Sequence, residues 1–218
     1  MLERVLEPEA MDTAEEAEGY DRMDHTAANR NFIERLMELG AKGHLLDLGC
    51  GPAHMAITIC TENPELRVTG LDLAHHMLRI AKANVDKSSC ADRIELIHGD
   101  AKDVGLEAGS FDAVYSNTIL HHIPDPRPFL REAARLVKPG GVLLIRDLFR
   151  PESKARISEL VQLHAADCDD YQRGLFGDSL HAAFTSDELR AIADECGLSE
   201  AEIVIDSDRH MSLQLRSH

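Results

Sequence analysis

LLDLGCGPAH, residues 45–54, decides the fold. An apolar strand runs into Asp47 and then into Gly49-Cys50-Gly51, and a helical pattern follows at once. Glycines in such a strand-to-helix turn let the backbone come close to a ligand, because a Cβ there would block the approach. A second apolar run, RVTGLDL (67–73), ends on Asp72, where an acid suits the two hydroxyls of a ribose. The chain lacks G-x-x-x-x-G-K-[ST], which argues against a triphosphate-binding loop. Residues 49–54 read G-C-G-P-A-H, so the third glycine of a dinucleotide loop is also missing where a pyrophosphate would rest on the helix. Turn and acid together point to a nucleoside-bearing cofactor without phosphates.

Strand and helix alternate outward from this turn. Strand-like runs occupy 44–48, 67–73, 93–100, 111–117 and 141–148, with helical patterns over 53–62, 75–87 and 126–137 between them. The last helix is expected to start with Asp125 as N-cap and Pro126 as its first residue. Such alternation predicts a doubly wound parallel α/β sheet, Rossmann-like, with helices on both faces. Thr185-Ser186-Asp187-Glu188 reads as a capping box opening a helix that Gly197 ends. Strands at 201–205 and 210–215 follow, joined by a link too short for a parallel crossover, so the seventh strand must run backwards. Residues 1–43 are expected to form an acidic helical cap with a helix around 23–40, read either as a solvated face or as a lid.

Composition narrows the class. The chain has 218 residues, 44% hydrophobic and 28% charged, which suits one domain with a substantial core. The net charge of −16 disfavours a nucleic-acid partner, since phosphate backbones are bound by basic faces. No apolar run approaches the ~20 residues that span a bilayer. The N-terminus has no basic-then-apolar leader, so a cytoplasmic location without membrane insertion is expected. The five cysteines form no C-x-x-C pair, which argues for free thiols and against a metal. A homodimer is allowed, and nothing in the sequence fixes it.

Taken in order, LLDLGCGPAH, GLDLAHHML, IHGDAKDV, FDAVYSNTILHHIPDP and LVKPGGVLL make residues 44–148 resemble class I S-adenosylmethionine-dependent methyltransferases of the small-molecule type. The ubiquinone and menaquinone C-methyltransferases are a looser likeness. The reversed final hairpin fits that fold. The resemblance implies that Asp47 and the Gly49, Cys50 and Gly51 backbone hold the methionine moiety of S-adenosylmethionine. It implies that Asp72 takes the ribose hydroxyls, with Leu73 against the adenine. Asp100 and the Ala101 backbone would meet the adenine amino edge, and Asn117 would sit beside the methionine amino group. Asp100 has a second reading as a turn cap, and Asn117 as a partner of local backbone. Tyr20, in a Tyr-Asp-x-Met segment, is expected to touch the cofactor or simply to pack. The family usually has glycine where Ala53 stands, and alanine, as the smallest replacement, is expected to preserve the loop.

The reaction this implies is in-line transfer of a methyl group to a small-molecule acceptor, with S-adenosyl-L-homocysteine as the product. A base is needed only if the acceptor must lose a proton. His121 and His122 are the candidates, because histidine titrates near working pH, and their other reading is a role in loop shape. Arg146 interrupts the apolar fifth strand at its carboxyl end, and Arg209 begins the reversed strand at that same end. Arg173 lies in 149–184, a segment the minimal fold does not need, expected to roof the acceptor site. These three arginines are candidates for an anionic or polar acceptor, against structural ion pairs as the alternative. Competing readings are a cofactor-binding protein without catalysis, a protein or RNA methyltransferase and a Rossmann oxidoreductase. Absence of an N/D-P-P-Y/F or P-C motif counts against the macromolecular reading.

Overall fold

The computed structural model describes residues 2–7, 13–22 and 26–216. Its strands are β1 (His44–Leu48), β2 (Arg67–Asp72), β3 (Ile94–His98), β4 (Phe111–Asn117), β5 (Val137–Leu148), β6 (Glu202–Ile205) and β7 (His210–Arg216). They form one sheet in the order β3-β2-β1-β4-β5-β7-β6. Pairs within β1–β5 are parallel, whereas β7 runs antiparallel to both β5 and β6. The expected reversed last strand is present. The chain winds outward from β1 to β3 on one side and from β4 on the other, so the winding reverses between β1 and β4. In an open α/β sheet a ligand binds at that reversal, outside the carboxyl ends of the strands.

The helices are α1 (Ala14–Asp21), α2 (Thr26–Glu38), α3 (His54–Glu62), α4 (His75–Lys87), α5 (Arg127–Leu136), α6 (Lys154–His164), α7 (Asp170–Ala182) and α8 (Ser186–Glu195). Alternation along the strands builds two cores. Leu46, Leu48, Val114, Leu143 and Ile145 meet Phe129, Leu130 and Ala133 of α5 and Leu189 of α8. Leu45, Val68, Ala113, Tyr115 and Leu144 face the other way, onto Phe32 and Leu36 of α2 and Ile59 of α3. Thr185 and Glu188 close the expected capping box, and Gly197 takes φ +79 after α8. Among the described residues no helix is long and apolar enough to cross a membrane.

Three boundaries differ from expectation. Pro126 holds the cap position of α5 rather than its first turn, and Asp125 Oδ1 accepts from the Arg127 N–H at 3.1 Å. The helix ends at Leu136, because Val137 is extended and pairs with Phe111, so β5 begins well before residue 141. Gly141 allows that kinked start, since a Cβ there would lie 2.7 Å from the Asp112 carbonyl oxygen. At the N-terminus the helix expected around 23–40 is α2, with residues 23–25 outside the described residues, and a separate α1 precedes it. Between β5 and α8, α6 and α7 form a hairpin with its own small core of Leu148, Leu160, Leu180 and Ala183.

Candidate functional site

The loop after β1 is anchored to the end of β2. Gly49 and Cys50 donate their N–H groups to the Leu71 carbonyl at 2.8 and 3.0 Å, and Gly51 donates to Asp72 Oδ2 at 2.7 Å. Ala53 N–H closes a turn onto the Cys50 carbonyl. The loop amides therefore hold the loop's own shape, and what it offers a ligand is close approach. Gly49 has φ +77, and a Cβ there would lie 2.6 Å from Ile119 Cγ2. Gly49→Ala is expected to cost about 2–3 kcal/mol from left-handed strain plus overlap with Ile119, read as a fall in Tm. Ala53 sits at φ 64, ψ 22, a left-handed conformation that costs a non-glycine residue roughly 1–2 kcal/mol. The loop keeps its glycine shape there despite the substitution.

Asp47 is fully buried beneath this loop, and neither carboxylate oxygen has a hydrogen-bond partner among the described residues. The Tyr115 hydroxyl lies nearby, also buried and without a well-formed hydrogen bond. Burial pushes the Asp47 pKa up to about 8, against the pull of Tyr115 in the other direction. A buried carboxylate without a partner is costly, and a ligand cation is the group that would satisfy it. Asp72 accepts from Gly51 N–H with Oδ2 and from Ala74 N–H, at 2.9 Å, with Oδ1. The backbone thus aims this carboxylate along the rim of the loop. Leu73 is 40% exposed on the same rim.

Asp100 lies beyond the strand it was expected to end, because β3 stops at His98. Its Oδ1 accepts from Lys102 N–H at 2.8 Å and meets Lys102 Nζ at 3.1 Å, so it caps its own turn, beside the buried Ala101. His98 and His75 stack at 3.8 Å between ring centres, and His98 Nε2 reaches the Leu73 carbonyl. Asn117 ends β4 and accepts from Arg146 Nε at 2.9 Å, so its amide nitrogen is the donor left for a ligand. Thr118 follows at φ 60, a strained conformation for a β-branched residue. Half-buried Tyr20 bonds the Thr118 side chain and passes 3.9 Å from where a Cβ of Gly51 would stand. Asp21 fixes the end of α1 through His54 Nε2 at 2.9 Å and Asn84 Nδ2 at 3.0 Å.

His121 does not present a free ring nitrogen. Its Nδ1 meets Asp147 Oδ1 at 2.5 Å and its Nε2 meets Glu7 Oε1 at 3.2 Å, with the side chain 4% exposed. Burial opposes its charge, but Asp147 and Glu7 outweigh it and push the pKa up to about 9. With both ring nitrogens engaged by carboxylates and its pKa raised, His121 is a poor acceptor for a further proton at neutral pH. His122 Nδ1 shares the same Glu7 oxygen at 3.1 Å.

The arginines divide. Arg146 is 6% exposed, with its guanidinium 4.9 Å from the Phe32 ring centre, and burial pulls its pKa down to about 10. Arg209 lies within its field and is held by the His164 ring at 2.9 Å and by Asp208 at 3.2 Å. His210 is pushed down to about 3, by burial and then by these two arginines. Arg173 is not a third member. Its guanidinium donates to the Ala165 and Ala166 carbonyls at 3.1 and 2.7 Å and pairs with Asp170, closing the end of α6. Sequence reasoning missed Glu7, Tyr115 and Thr118. Only Tyr115 carried a signal, as a hydroxyl in an apolar strand.

Known proteins share this fold. Residues 46–145 match the methyltransferase domain family. The O-methyltransferase rstn1 of Aspergillus nomiae is 31% identical over 200 residues, covering 88% of this chain and 83% of that one. Demethylmenaquinone methyltransferase of Listeria welshimeri is 34% identical over 139 residues, 61% of this chain, and the match spans 58% of that protein's length. The crystal structure of a SAM-dependent methyltransferase from Aquifex aeolicus has the same fold, with a TM-score of 0.70 at 17% identity over 93% of this chain and 97% of that one. The unsatisfied Asp47 carboxylate fits the α-ammonium of S-adenosylmethionine, and the acid aimed from β2 fits its ribose. Identity across most of a curated relative and a sheet wound in this order agree: the chain belongs to the class I S-adenosylmethionine-dependent methyltransferases.

Proposed function

We propose that this enzyme methylates a small acceptor bearing an acidic oxygen, a phenol, an enol or a carboxylic acid, held where β4 and β5 end and β7 begins. The observation carrying this reading is Arg146, a buried guanidinium at the carboxyl end of a central strand. Such a group favours an ionised acceptor, so the acceptor's proton can leave to solvent before transfer. The donor, when bound, supplies an electrophilic methyl group on a sulfonium. The acceptor oxygen forms the new bond to that methyl as the carbon–sulfur bond breaks, leaving a neutral ether or ester and a thioether. The chain's work is then to hold and dry the reactants, and a base is not required. Arg209 adds positive field from β7.

In this reading α1 and Tyr20 cap the cofactor loop, while the α6–α7 hairpin roofs the acceptor. Asp47 holds the methionine ammonium, and Asn117, whose Oδ1 is taken by Arg146, offers its Nδ2 to the methionine carboxylate instead of sitting against the amino group. Asp72 takes the ribose, and Leu73 with Ala101 faces the adenine. The acidic net charge supports a small acceptor over a nucleic acid, and five free cysteines support a reducing, cytoplasmic setting. A radiolabelled-methyl screen over phenols, enols, carboxylic acids and amines identifies the acceptor class. Arg146→Met is then expected to raise the acceptor KM at least tenfold, about 1.4 kcal/mol or more, while the S-adenosylmethionine Kd moves less than threefold. Turnover of amines alone, or an unchanged KM, would refute the proposal.

A further inference from the structure

Outside the donor loop, three potential metal ligands converge from distant parts of the chain. Glu7 Oε1 lies 3.2 Å from His121 Nε2 and 3.1 Å from His122 Nδ1, and the three ligand atoms fall within 4.8 Å of one another. Their side chains are only 11%, 4% and 17% exposed. The histidines are consecutive on a tight 3-10 turn, Leu120–His122, which brings both rings to one side with centres 4.1 Å apart. Behind His121, Asp147 Oδ1 takes the Nδ1 proton while Oδ2 accepts from the His121 backbone N–H at 2.9 Å. That leaves Nε2 as the nitrogen facing Glu7, where a metal would replace the proton of the metal-free imidazolium, and a carboxylate behind a metal-binding imidazole is the usual arrangement.

The carboxylate is held as firmly. Arg4 donates to the carbonyls of His121, Ile123, Pro124 and Ala182, and stacks 3.7 Å from the Phe184 ring centre. Val5 N–H reaches the His181 carbonyl, and Ser179 Oγ donates to Glu7 Oε1 at 3.2 Å. Both ends of the cluster are thus positioned by contacts from outside it, and Ser179 Oγ also reaches Glu7 Oε2, at 3.3 Å.

We propose that Glu7, His121 and His122 form a site for one divalent transition-metal ion of the zinc, iron(II) or cobalt(II) class. Ligands about 2.0–2.2 Å from such an ion stand roughly 2.8–3.6 Å apart from octahedral to tetrahedral geometry, a range that holds Glu7 Oε1 and each imidazole nitrogen. Two imidazoles with one carboxylate favour these borderline ions over magnesium or calcium, which prefer all-oxygen shells. The ion takes the place of the proton between Nε2 and Glu7 and balances the two carboxylates, Glu7 and Asp147, around it. Its effect is to fasten residues 2–7 to the turn after β4.

The test is titration of the full chain, stripped with chelator, with Co²⁺ alone. Expected are one equivalent bound at micromolar Kd or tighter, a visible ligand-field band, and paramagnetically shifted imidazole resonances from two histidines. Glu7→Gln, which keeps the side-chain shape, and His122→Ala should each weaken Co²⁺ at least a hundredfold with the far-UV dichroism unchanged. Absence of stoichiometric binding by the wild-type chain overturns the proposal. So does a band that survives both substitutions, or one lacking the histidine resonances.

Discussion

Asp147→Ala is expected to lose about 3–5 kcal/mol of folding stability, the cost of leaving a buried charge without its partner. Asp147 lies in a central strand at 2% exposure and accepts from the His121 ring, from the His121 backbone and from the Leu148 N–H. Alanine would orphan all three donors in a region water does not reach. With domains of this size stable by about 5–15 kcal/mol, that loss threatens the fold. Urea unfolding monitored by circular dichroism measures it, and Asp147→Asn, which retains an acceptor oxygen, should recover part of the loss. A loss under about 1 kcal/mol would show that His121 finds another partner.

Asp47→Asn is expected to act on ligand binding instead. A charge-assisted hydrogen bond in a dry site is worth about 2–3 kcal/mol, so the S-adenosylmethionine Kd should rise roughly 30- to 150-fold. The pH dependence follows from a native pKa near 8 against an ordinary value of 3.8. Without ligand the native state keeps a proton that the unfolded chain has already released, so stability falls as pH rises from about 4 to about 8. The cofactor ammonium prefers the ionised carboxylate, so affinity should tighten as pH rises toward 8 and then level off. In Asp47→Asn both trends should flatten, and above pH 8 the unliganded variant should melt higher than the wild type. Isothermal titration and thermal melts at pH 5, 7 and 9 check each part. A wild-type Kd independent of pH would show that Asp47 does not meet the ammonium.

The residues proposed to hold the cofactor were readable because their signal is local. Asp47, Asp72 and Asn117 stand at or beside strand ends, and strand ends are where hydrophobic alternation breaks. Asp100 stood in the same kind of pattern, yet its turn closes on Lys102, a contact that a count of apolar positions cannot show. The acceptor side was harder. Arg146 and Arg173 look alike in the sequence, but one is buried in a strand while the other meets the carbonyls at a helix end. Glu7 left no local trace, because its partners lie more than a hundred residues away along the chain. The start of β5 was misread for a related reason, since Val137 extends only because Phe111 is there to pair with it.

The contacts of Arg4 also set an order in time. Its partners are 117 to 178 residues further along the chain. Residues 2–7 leave the ribosome ahead of all these partners, and the Ala182 carbonyl follows on the order of ten seconds or more later at ordinary synthesis rates. The sheet from β1 to β5 can pair in that interval, while the N-terminal strap waits unpaired. Residues 2–7, made before the sheet, therefore dock after it, and their docking records that α7 has been completed.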